Sequence, residues 1–258
     1  MSQRQGRAWM LACGTIFHVS LFALALRGRP AVAQEPAVAR KAAKASLYLD
    51  PAALRLAALT PAPPAPDSAA TQAELATLHR IETARSPAQV AAAKADDAEQ
   101  DIFSYRTVFG AWFQPETLPL TAALSARVHA EEGAASGDLK TVFARPRPYQ
   151  SDKTLHPVCK LTEAPNSYPS GHTLSGYLLG FTLAEMMPEK KQEILDRADD
   201  YAHNRLVCGV HYPSDLEASR RIAFAVFGAM MSNAKFVDDL TAASAELHAQ
   251  QHAAVAAK

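Results

Sequence analysis

Apolar residues recur along this chain at helical spacing and almost never alternate with polar ones. Leu75, Leu78 and Ile81 form one stripe; Leu120, Leu124 and Val128 form a second; Phe236, Leu240 and Leu247 form a third. Repeats of three and four residues place such side chains on one face of an α-helix, whereas a half-buried strand requires a period of two. Residues 174–187 are mainly apolar, and the run stops at Pro188, which predicts a buried helix. Ile194, Ala198 and Tyr201 share a face in the next segment, and Arg205 returns to that face eleven residues after Ile194. Ser86, Pro87 and Gln89 read as a helix start, with Ser at the cap, Pro at the first position and Gln at the third. No internal repeat appears. The pattern predicts an all-α protein with one compact helical domain over residues 71–250 and a short C-terminal tail at 251–258.

The chain before residue 71 has a different pattern. Arg4 and Arg7 precede an apolar run over residues 8–26, and Ala31, Val32 and Ala33 follow in the small-x-small arrangement that signal peptidase cleaves. Residues 1–33 are therefore expected to be a signal peptide, the rival reading being an uncleaved membrane anchor of near-spanning length. Residues 34–70 read as a mobile, Ala- and Lys-rich arm followed by a Pro-rich entry segment with prolines at 61, 63, 64 and 66. The expected destination is a periplasm, with no stable membrane association once the leader is removed.

Composition narrows the classes. In 258 residues, 26 Lys and Arg balance 26 Asp and Glu, so no global field favours nucleic acid as a partner. The 48% hydrophobic content is that of a globular chain, and homo-oligomerisation stays open. Setting Cys13 aside with the leader leaves Cys159 and Cys208, which an oxidising compartment would join in one disulfide; the alternative is two buried thiols that never meet.

Candidate chemistry lies between residues 140 and 215. Lys140, Arg145 and Arg147 fall within eight residues, and Pro146 and Pro148 hold that stretch extended. Read alone, it is either a solvated charged face or an anion site. Ser170 is placed to cap the apolar helix, so Gly171 and His172 would sit at its N-terminus, where unpaired N–H groups attract anions. Equally, Ser170 could be only a cap and His172 a surface residue. Arg205 faces inward and needs a partner, because a buried unpaired charge is costly. Ser214 to Glu217 fits a capping box, which would place Asp215 in the first turn of another helix. His211, four residues earlier, would then be within reach of the Asp215 carboxylate, or it could simply pack in the core. Asp215 is the only acidic group among these candidate residues, so a pocket made from them should be positive.

Together the three segments resemble the signature of the type 2 phosphatidic acid phosphatase superfamily: Lys-x6-Arg-Pro, then Pro-Ser-Gly-His, then Ser-Arg-x5-His-x3-Asp. Lys140, Arg147 and Pro148 match the first part; Pro169, Ser170, Gly171 and His172 the second; Arg205, His211 and Asp215 the third. Asn204 stands where the family has Ser, which implies altered support around the pocket. The soluble, exported form is similar to the class A bacterial non-specific acid phosphatases. That resemblance implies an all-helical fold and metal-independent hydrolysis of phosphate monoesters with broad specificity, through a phosphohistidine and without a cofactor. It assigns His211 as nucleophile, Asp215 as its orienting carboxylate and His172 as proton donor. Lys140, Arg147, Arg205, Ser170 and Gly171 would hold the phosphoryl oxygens, and Arg145 lies outside the signature, behind or at the rim of the pocket. A rate maximum on the acid side of neutrality follows from two histidines in opposite protonation states. The competing readings are a vanadate-dependent haloperoxidase, a membrane lipid phosphatase, a metal hydrolase (His156, His172, His203 and His211 match no common zinc spacing) and a non-catalytic phosphate-binding protein.

Overall fold

The structure is a computed structural model that describes residues 46–256. The apolar run, the cleavage motif at 31–33, the first part of the arm and residues 257–258 lie outside the described residues. The helices, in chain order, are α1 (Pro51–Leu54), α2 (Leu56–Leu59), α3 (Ala69–Ala84), α4 (Pro87–Ala98), α5 (Arg106–Phe109) and α6 (Pro119–Phe143). They continue with α7 (Pro148–Ser151), α8 (Gly171–Met186), α9 (Lys191–Val207), α10 (Pro213–Met231) and α11 (Ala234–Ala256). Two 3₁₀ turns, Ile102–Tyr105 and Pro188–Lys190, complete the regular structure, and no strand occurs among the described residues. The fold is all-α, as the helical spacing predicts.

Helix α8 forms the centre. It is apolar on every side, and twelve of its sixteen residues are buried, which requires neighbours all round. Helices α6, α9, α10 and α11 supply them. The α8–α9 contact is close because α8 carries glycine where the two meet. A Cβ on Gly176 would lie 2.7 Å from the Tyr201 ring, and one on Gly180 would lie 2.7 Å from the Tyr105 hydroxyl. That hydroxyl donates to the Gly176 carbonyl at 2.7 Å. The inward face of α9 is the expected one: Ile194, Ala198, Tyr201 and Arg205 are all buried.

Carboxylates tie together segments distant in sequence. Glu246 of α11 accepts from the backbone of Leu120 and Thr121 at 3.0 and 2.8 Å, satisfying free N–H groups at the start of α6. Leu120 is half exposed there, so only Leu124 and Val128 of that stripe enter the core. Glu131 is fully buried and accepts from the N–H groups of Leu47 and Tyr48 at 2.8 and 2.9 Å. Tyr48 in turn donates to Asp239 at 2.6 Å.

Three expectations change. Residues 46–59, grouped with the mobile arm by composition, are docked: Tyr48 and Leu56 are core residues, and Glu131 supplies the acceptor that ties the segment down. Residues 251–256 continue α11 and are not a separate tail, since Leu240, Ala243 and Leu247 anchor that helix. The cap of α10 is Tyr212 and not Ser214; Pro213 takes the first position and Asp215 the third, accepting from Tyr212 N–H at 2.9 Å. A proline preset for the first turn outweighs the Ser-x-x-Glu pattern one residue later.

Candidate active site

The turn between α9 and α10 brings His211 under the N-terminus of α8. Gly209 enables that turn, with φ of +74°, a left-handed conformation that suits a residue without a Cβ. Cys208 is joined to Cys159 in a disulfide, and its carbonyl accepts from Val158 N–H at 3.0 Å. The turn is thus fastened to the 157–160 loop midway between Arg205 and His211.

His211 is buried, with both ring nitrogens engaged. Nδ1 lies 3.1 Å from Asp215 Oδ2, and Nε2 lies 3.0 Å from a guanidinium nitrogen of Arg147. A carboxylate only accepts and a guanidinium only donates. The ring is therefore neutral, protonated on Nδ1, with its Nε2 lone pair directed at a cation. Burial pushes the His211 pKa well below its ordinary value, and Arg147, Arg205, Lys140 and His172 add to the effect.

Asp215 is wholly buried and collects donors. Oδ2 also accepts from Ser167 Oγ at 2.5 Å and Tyr212 N–H at 2.9 Å, while Oδ1 accepts from Arg145 at 2.6 Å. Burial raises its pKa to about 6, against the opposing pull of Arg145 and these hydrogen bonds.

The remaining predicted residues surround the imidazole. Ser170 is buried and caps α8 by accepting from Thr173 N–H at 3.3 Å; its own N–H donates to the Asp215 carbonyl at 3.3 Å. Lys140, at the end of α6, donates to the Pro169 carbonyl at 2.6 Å, and burial lowers its pKa to about 8. Arg147 also donates to Asn166 Oδ1 and to the Val210 carbonyl, each at 3.0 Å. His172 is partly exposed, 3.4 Å from the Asp97 carbonyl. Burial, reinforced by Arg205, lowers its pKa to about 3, so the His172 imidazole is neutral in this site over most of the acid range. Arg205 is 2% exposed. Its Nε has no hydrogen-bond partner among the described residues.

The structure brings together all eight residues expected at the site, but the pocket is not simply positive. Arg205 donates to Asp97 Oδ1 at 2.8 Å, so a protein carboxylate partners the cation expected to meet an anion. Burial works against the charge of Asp97, but Lys160 N–H and Arg205 hold its pKa below the ordinary value. The Glu132 carboxylate lies against Gly171, 2.5 Å from where a Cβ would sit, and its charge acts on Lys140. Neither acid has a local sequence signal. Each is one carboxylate on a helix, and only tertiary packing brings it here. Asn204 points to α4, donating to Asp96 at 2.7 Å beside the Asp96–Arg197 ion pair. Tyr105, Phe109 and Tyr168 are core residues.

Comparison with known proteins agrees with this arrangement. Over 162 residues the chain is 30% identical to a non-specific acid phosphatase of Salmonella typhimurium, an overlap that covers 60% of this chain and 65% of that protein. It is 33% identical over 135 residues to an acid phosphatase of Zymomonas mobilis, covering half of each. It is 38% identical over 80 residues to a non-specific acid phosphatase of Providencia stuartii, covering 31% of this chain and 32% of that one. The chain thus spans less than two thirds of the length of each of these relatives. The PAP2 superfamily model matches residues 120–237, a span that holds every residue of the three signature segments. The pocket around His211 lies within the span of this chain that matches the PAP2 superfamily.

Proposed function

We propose that the protein is an exported acid phosphatase that hydrolyses phosphate monoesters of varied leaving group through a phosphohistidine at His211, without a metal or cofactor. The observation that carries this reading is the His211 imidazole: Nδ1 is fixed on Asp215, and the Nε2 lone pair is held among three cations. Phosphoryl transfer depends mainly on alignment and on charge facing the equatorial oxygens. Lys140, Arg147, Arg205 and the first N–H groups of α8 supply that charge. An incoming phosphoryl group takes over the Arg147 hydrogen bond and so frees the lone pair. It also offers the acceptor that Arg205 Nε lacks.

His211 Nε2 then bonds to phosphorus as the ester P–O bond breaks. His172 donates its proton to the leaving oxygen, and the alcohol departs. A water molecule attacks the phosphohistidine, the P–N bond breaks, and His172 takes the water proton, releasing phosphate. Burial, reinforced by the nearby Arg205 and Arg147, keeps His172 neutral in the free site. The negative charge of the bound phosphoryl group offsets them and draws the required proton onto the ring. Asp215 must remain ionised to stabilise the positive His211, so the rate falls below about pH 6; it falls again at higher pH as His172 loses its proton.

The test is hydrolysis of p-nitrophenyl phosphate by the wild type and by His211→Ala, both in excess chelator. The wild type should turn over with a maximum on the acid side of neutrality. The variant should lose at least about a thousandfold, the scale seen when a nucleophile is removed. An inactive wild type, or an active His211→Ala, would refute the proposal.

A further inference from the structure

Arg145 stands outside the set of groups that face the phosphoryl position, yet it is 6% exposed and makes three side-chain hydrogen bonds. One terminal nitrogen donates to Asp215 Oδ1 at 2.6 Å and to Ser214 Oγ at 2.8 Å; the other donates to Glu74 Oε2 at 2.8 Å. Glu74, on α3, uses its second oxygen to accept from Ser214 N–H at 2.6 Å. The guanidinium lies 3.8 Å over the Tyr212 ring, which fixes its plane. One acidic residue from a helix remote in sequence therefore aligns both the cation and the start of α10.

We propose that Arg145 is a positioning residue for the His211–Asp215 pair: clamped by Glu74, it keeps the Asp215 carboxylate ionised and aimed at His211 Nδ1, and so sets the acid limb of the reaction. The inference rests on the phosphatase reading above. The two carboxylate oxygens divide the work. Oδ2 receives His211, Ser167 and Tyr212 N–H, whereas Arg145 is the one side chain among the described residues that donates to Oδ1. Without Arg145, a buried oxygen would lack a donor, and binding a proton would satisfy it.

Other charged and titratable groups face Asp215 from every side. Lys140 acts from the end of α6, Arg147 from the loop before α7, Tyr168 from the segment before α8, and His211 and Tyr212 from the turn before α10. Glu74 reaches it through Arg145. Of the three cations, Lys140 and Arg147 would be engaged by the phosphoryl oxygens once substrate is bound. Arg145 remains on the far side of the carboxylate throughout the cycle.

The test compares the pH profiles of kcat for the wild type, Arg145→Met and Arg145→Lys. Loss of an adjacent arginine should move the acid limb upward by about one pH unit or more. At pH 5, Arg145→Met should lose roughly tenfold or more in kcat, with a much smaller loss at pH 7. KM and vanadate inhibition should stay within about threefold, since the phosphoryl-binding cations remain. Arg145→Lys, which keeps the charge but not the fork, should fall between the two; it decides the matter alone if Arg145→Met does not fold. An acid limb at an unchanged pH, whether activity is retained or lost equally at all pH values, would overturn the inference. A wild type without phosphatase activity would instead overturn the reading on which it rests.

Discussion

At the scale of single residues, the free site is a set of cations already partnered by protein groups. Arg205 holds Asp97, Lys140 is bonded to the Pro169 carbonyl with Glu132 nearby, and Arg147 donates to His211. A phosphate must compete with the acidic partners, and that competition sets affinity. Asp97→Asn should relieve like-charge repulsion and tighten inhibition by inorganic phosphate, roughly tenfold or about 1.4 kcal/mol; weaker inhibition in this variant would argue that Asp97 positions Arg205. His172 offers an independent reading, because its pKa is about 3 in the site without phosphate. Phosphate binding near pH 5.5 should therefore take up protons. Calorimetric titrations in buffers of different ionisation enthalpy should give binding heats that scale with that enthalpy; identical heats would mean that the ring is not recruited.

At the scale of elements, the helices were legible where local signals agree. Ser86 with Gln89 marks the start of α4, Ser170 that of α8, and Pro188 ends the apolar run one residue after Met187. Legibility fails where the deciding partner is remote. Nothing around Glu131, Glu74 or Asp97 announces that each will bond to a segment at least 71 positions away in sequence. The start of α10 is ambiguous in the sequence because two capping patterns overlap, one built on Ser214 and one on Pro213, and the fold takes the second. The Cys159–Cys208 pair was readable from an even cysteine count, but its position is a tertiary fact: it secures the chain between Arg205 and His211. Its 49-residue separation implies a loop-entropy contribution of up to about 4 kcal/mol. Cys159→Ser should lower the melting temperature and reduce kcat more than it raises KM, as the His211 turn loses its fastening. An unchanged melting temperature and unchanged kcat would show that the hydrogen bond from Val158 suffices.

At the scale of the molecule, zero net charge is informative only once it is resolved in space. The 26 basic and 26 acidic residues cancel overall, and around His211 they nearly cancel again. Lys140, Arg145, Arg147 and Arg205 face Glu74, Asp97, Glu132 and Asp215. Reading the signature segments alone yields a positive pocket, because the balancing acids on α3, α4 and α6 lie outside those segments. A nearly neutral site that becomes cationic where Asp97 and Glu132 yield suits a dianion that must also leave as product. No helix among the described residues is long and apolar enough to cross a membrane. Export through the N-terminal segment is part of the proposal, and the N-terminal sequence of the periplasmic protein should begin at Gln34; one that still began at Met1 would contradict cleavage.

The central claim is that phosphorus passes through His211, and trapping the intermediate tests it most directly. Protein mixed with ³²P-labelled monoester and quenched in alkali within the first turnover should carry an acid-labile, base-stable label on the peptide containing His211. The label should be absent from His211→Ala and should disappear as phosphate is released from the wild type. Steady hydrolysis with no label on that peptide, or with the label on another residue, would contradict the account.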